Sequence, residues 1–71
     1  SSAGPRIPRQ LCETIREVRH DRGWSQTTLG DRAGLSRPTI ARVERGDDIS
    51  TATLVAISEA LGLSIELRRI A

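Results

Sequence analysis

The sequence predicts an all-α domain of four short helices that closes with a single C-terminal strand. Three observations carry this. One start pattern, apolar, Ser, two residues, Thr, apolar, recurs at 24–29, 35–40 and 49–54. A glycine stands at each matching stop: Gly34, Gly46 and Gly62. After Gly62 the apolar spacing changes from helical to strictly alternating.

The elements follow in order. Residues 1–6 (SSAGPR) read as a flexible lead-in, and residues 7–71 as the folded domain. Pro8 suits a first helical turn, and Leu11, Ile15 and Val18 fall on one face of helix one. Gly23 ends it with the positive φ that a C-terminal cap favours. Helix two is expected over about 25–33, helix three over 36–45 and helix four over 50–61. Ser25, Ser36 and Ser50 are the N-caps, each side-chain oxygen accepting an orphan backbone N–H. The preceding Trp24, Leu35 and Ile49 are placed as hydrophobic staples. Thr replaces Glu at the third helical position, so the reciprocal half of a capping box is weak. Leu54, Ile57 and Leu61 give helix four its buried stripe. Leu63, Ile65 and Leu67 alternate with Ser64, Glu66 and Arg68, a strand over 63–70 whose partner must come from outside the monomer.

Composition narrows the function. A chain of 71 residues makes one small domain, and burying only about 60% of its unfolded surface leaves it marginal alone. Trp24 is the only aromatic residue besides His20, which argues against a base-stacking single-strand binder. A lone Cys12 forms no internal disulfide, so a reducing cytoplasm is the expected location. No apolar run is long enough for a membrane helix. His20 lacks companions at metal-ligand spacing, the serines serve as caps, and Asp47-Asp48 lacks further oxygen ligands. Neither catalysis nor a cofactor or metal is expected.

Charge is divided unevenly. All cationic side chains are Arg; residues 1–45 carry nine against Glu13, Glu17, Asp21, Asp31 and Glu44, a balance of +4. Residues 46–71 carry two against Asp47, Asp48, Glu59 and Glu66, a balance of −2. One part suits a polyanion and the other a protein surface. Helices two and three, joined by a tight Gly turn, form a helix-turn-helix, with small Gly30 allowing a close crossing. Leu29, Ala33, Leu35, Ile40 and Val43 face inward. Arg37, Pro38, Thr39, Ala41, Arg42 and Arg45 are left toward the outside of helix three, where Arg can pair with guanine O6 and N7 in the major groove. The start of helix two, with Gln26 and Thr27, can offer amide donors to a phosphate.

Residues 25–46, SQTTLGDRAGLSRPTIARVERG, resemble the XRE family, the Cro/repressor-type helix-turn-helix with a lambda-repressor-like fold, and the likeness extends over Ile15–Leu61. The resemblance implies that Gln26 makes a contact from helix two and that Arg37, Pro38 and Arg42 read base edges. It places Arg45 at a backbone contact and pairs Arg19 with Glu44 across helices one and three. The full candidate DNA-binding set is Gln26, Thr27, Ser36, Arg37, Pro38, Thr39, Ala41, Arg42 and Arg45. Two positions depart from the family. Gly30 replaces the usual Ala and lowers helix propensity by about 1 kcal/mol, and Pro38 stands where repressors often carry a polar side chain.

The ending at residues 61–67, LGLSIEL, is similar to HipB-type antitoxins, in which the closing strand pairs with its twin across a dimer axis. That likeness implies dimerisation through Leu63, Ile65 and Leu67, and a repressor of its own operon. The implied partners are a palindromic double-stranded operator, a second copy and a HipA-like kinase toxin, with no membrane. A phage-type repressor or a restriction–modification controller shares the same mechanism. A module that binds only protein is the reading from a different class.

Overall fold

The computed structural model describes residues 9–66. It contains α1 (Arg9–Asp21), α2 (Gln26–Ala33), α3 (Arg37–Arg45) and α4 (Thr51–Leu61). The helices after α1 start one residue later than their expected ranges, because each Ser stands outside its helix as the cap.

All three caps have one geometry. Ser25, Ser36 and Ser50 are extended, with φ of −80, −79 and −78°. Their Oγ atoms accept the backbone N–H of Thr28, Thr39 and Thr53 at 3.0, 3.4 and 3.1 Å. The threonines do not supply the reciprocal bond of a capping box to the cap's own N–H, in line with the expectation. Each Thr hydroxyl bonds to the Ser hydroxyl instead, at 3.0, 2.9 and 2.9 Å. The apolar residue before each cap, Trp24, Leu35 or Ile49, packs against the core.

Gly23, Gly34, Gly46 and Gly62 all have positive φ, as their roles as stops require. Gly34 matters most, because it turns the chain between α2 and α3. At φ 71° it occupies the left-handed region, which costs a residue with a Cβ roughly 1–2 kcal/mol. The next N–H, of Leu35, then donates to the Gly30 carbonyl at 2.7 Å. Gly30 is more than permissive here. A Cβ on it would lie 2.6 Å from the Leu35 carbonyl oxygen, so the turn rests directly on the bare backbone of α2.

Both α1 and α2 pack on α3 and α4. The core joins Cys12 and Ile15 of α1, Leu29 of α2, Ile40 and Val43 of α3, and Ile57 and Leu61 of α4. Cys12 is buried in this cluster. Leu35 and Leu54 are half-buried at the edge of this cluster, as are Leu11 and Val18, while Ala33 is half-buried without packing on it. Residues 63–66 form no regular element within the single chain, and 67–70, the rest of the expected strand, lie outside the described residues, as does the lead-in at 1–6. No helix among the described residues is long and apolar enough to cross a membrane.

Candidate nucleic-acid interface

The interface is set by what holds α3 in place. Glu44, near the end of α3, receives a bidentate pair from Arg19 of α1: Nε donates to Oε2 at 2.7 Å and Nη2 to Oε1 at 3.0 Å. Gln26 of α2 donates its side-chain amide to Oε1 of the same carboxylate at 3.1 Å. Arg19 also donates Nη1 to the Trp24 carbonyl at 2.9 Å, and His20 Nε2 lies 3.2 Å from its Nη2. One carboxylate therefore joins three helices. Both partners are buried, with side chains 9% and 5% exposed. The two parallel N–H···O bonds fix orientation as well as distance.

Held this way, α3 turns a continuous face outward. Pro38, Ala41, Arg42 and Arg45 fall at i, i+3, i+4 and i+7 on one side of the helix. Arg37, Pro38, Arg42 and Arg45 are exposed, and so is the cap Ser36. Thr39 and Ala41 are half-buried, and the Thr39 hydroxyl is engaged with Ser36. Arg45 pairs with Asp47 of the following loop at 2.8 Å, with both ends exposed. At the start of α2, Thr27 is exposed and Gln26 is half-buried, its amide nitrogen turned to Glu44. The expected positions on α3 thus share one side of the molecule with open guanidinium groups, while Gln26 is drawn partly into the support. Of the dimerisation set, Leu63 is half-buried against the core, Ile65 is 48% exposed, and Leu67 lies outside the described residues.

A second set of contacts is absent from the sequence reading. Arg22 donates Nη2 to the Leu61 carbonyl at 2.8 Å, placing a cation at the C-terminal end of α4, where the helix dipole favours it. The Trp24 ring takes the Arg22 and Arg32 guanidiniums at 5.3 and 4.5 Å from its centroid. A single Trp in an Arg-rich chain was the available signal. Burial pushes the Cys12 thiol pKa above its ordinary value, as suits an inert core side chain.

Fold and face together define a helix-turn-helix module. The Helix-turn-helix family model HTH_3 matches residues 15–67, and the chain belongs to this XRE-type family of DNA-binding regulators. It is 34% identical over 61 residues to the antitoxin HipB of Escherichia coli O6:H1 (strain CFT073), a match covering 84% of this chain and 65% of that antitoxin. The chain therefore spans just under two thirds of that relative's length. Among solved structures, a chain of the HipA-HipB-O2-O3 complex superposes with a TM-score of 0.80 at 30% identity, covering 92% of this chain and 93% of that one. The restriction-modification controller protein C.AhdI from Aeromonas hydrophila superposes with a TM-score of 0.73 at 32% identity, covering 79% and 86%.

Proposed function

We propose that the protein is a dimeric repressor that binds a palindromic operator in bacterial cytoplasm, and that it serves as the antitoxin of a toxin–antitoxin operon. The observation that carries DNA reading is the outward arginine face of α3, locked to α1 and α2 through Glu44. Arg37 and Arg42 are the base readers, with Ser36, Pro38, Thr39 and Ala41 completing the surface laid in the major groove. Thr27 and Arg45 face the phosphates, and Gln26 offers its backbone N–H at the start of α2 while its side chain holds Glu44. The likeness to a chain solved as part of a HipA-HipB-O2-O3 complex supports both an operator and a HipA-like kinase toxin as partners. The likeness to C.AhdI favours a second reading, a restriction–modification controller that uses the same face. A copurifying kinase-like partner supports the first; a linked methyltransferase gene supports the second.

The test of base reading is Arg37→Ala on a site selected from random duplexes. Each bidentate Arg–guanine contact is worth about 1–3 kcal/mol of discrimination. The variant should lose binding by that amount per half-site and relax preference at one base pair. Equal weakening on operator and random DNA would reassign Arg37 to the phosphate backbone.

A further inference from the structure

A cleft of about 400 Å³ lies between α1 and the C-terminal end of α3, walled by Arg9, Glu13 and Arg16 on one side and by Glu44 and Arg45 on the other. Arg9 and Arg16 are seven residues apart, so they share one face of α1 about 10 Å apart along its axis. Arg45 enters from the opposite wall, and it is the last residue of the outward row formed by Pro38, Ala41 and Arg42. The cleft therefore begins where the face of α3 ends.

Its carboxylates do not cancel its cations. The charge of Glu44 is taken up by Arg19 and Gln26. Glu13 meets Arg9 at 3.3 Å in a pair whose side chains are 48% and 91% exposed, and the Arg45–Asp47 pair is also open to water. Such exposed pairs are weak and exchange readily for a better anion. Arg16 is exposed and makes no hydrogen bond or ion pair with the described residues. A guanidinium with uncommitted donors, flanked by two loosely held ones, matches the tetrahedral oxygens of a phosphodiester.

We infer that this cleft receives a DNA backbone phosphate outside the bases read by α3, with Arg16 as the main contact and Arg9 and Arg45 beside it. The inference rests on the proposed DNA reading and extends its footprint from α3 onto α1. Arg16 carries affinity and salt dependence but no sequence information.

The experiment uses the full chain and measures binding against salt on a selected operator and on random duplex, for the parent, Arg16→Ala and Arg16→Lys. Arg16→Ala should weaken both DNAs by the same factor and flatten the log–log salt slope by about 0.9 for each phosphate lost. Its melting temperature should match the parent, since the side chain has no hydrogen-bond or ion-pair partner among the described residues to lose. Arg16→Lys keeps a point charge and should recover the slope. An unchanged slope in Arg16→Ala overturns the inference, and so does a loss confined to the operator, which would mean base contact. A melting increase with inorganic phosphate over chloride at equal ionic strength, abolished by Arg16→Ala while the DNA slope stays intact, also overturns it in favour of a small-anion site. A parent protein that binds neither DNA at low salt would instead sink the DNA reading itself, and this extension with it.

Discussion

At the scale of the residue, two positions decide whether α3 stands where it must. Glu44 is a buried charge whose neutralisation comes from Arg19 and whose remaining acceptor capacity serves Gln26. Replacing such a pair by apolar residues can be nearly neutral, but removing one partner strands the other charge at a cost of roughly 3–5 kcal/mol. Domains are typically stable by only about 5–15 kcal/mol, and one this small belongs toward the lower end. Glu44→Ala should therefore bring the protein close to unfolding in urea or thermal melts. A melting point within a degree or two of the parent would show that the pair contributes nothing net. Gly30 is the second such residue, and here two effects oppose each other. Ala would recover about 1 kcal/mol of helix propensity. Its Cβ would also sit 2.6 Å from the Leu35 carbonyl, and because that atom is backbone, the turn itself must move. Forced overpacking of this kind costs about 1–3 kcal/mol. The clash should win, so Gly30→Ala should melt several degrees lower; a higher melting point would show that the turn yields without cost.

At the scale of the element, α2, α3 and α4 were readable because each carries its own start and stop chemistry. Ser before Thr at cap spacing and Gly after the last apolar position act within a few residues, and no knowledge of neighbouring helices is needed. The Arg19–Glu44 pair was also legible, though only through resemblance, since its partners lie 25 residues apart. Other features depend on how helices cross, and sequence does not encode crossings locally. Gln26 turning toward Glu44, Arg22 reaching the Leu61 carbonyl and Trp24 held against two guanidiniums all belong to this class. Gly30 shows the difference clearly. Propensity alone marks it as a weakness of α2, whereas the close approach of the turn makes it a requirement. The outward face of α3 was legible because the inward positions Ile40 and Val43 fix the helix rotation, and the arginines take what is left.

At the scale of the whole molecule, the proposed reading of a palindrome needs two such domains set at a fixed separation. Half-sites on one face of DNA lie about 34–36 Å apart, so reading a palindrome requires a rigid dimer. An apolar surface open to it runs from the middle of α4 to the segment after it, where Val55 is 40% and Ile65 48% exposed, the large apolar side chains most open to water among the described residues. Isolated exposed apolar residues are ordinary, but Ile65 lies within the alternating segment and lines one depression with Val55 and Leu63, which fits a face meant to be covered. The structure also shows where to cut. The Leu63 N–H donates to the Ser58 carbonyl at 2.8 Å and its side chain packs on the core, so it completes the end of α4. Removing residues 64–71 spares that cap and takes away all but the first residue of the proposed pairing strand. The truncated chain should sediment as a monomer with its helices intact by circular dichroism. Each monomer would engage one half-site, so binding to a selected palindrome should weaken steeply and its salt slope should become shallower as fewer phosphates are engaged together. A truncated protein that remains dimeric at micromolar concentration would place the interface on the helices, with Val55 the first residue to substitute by a charge.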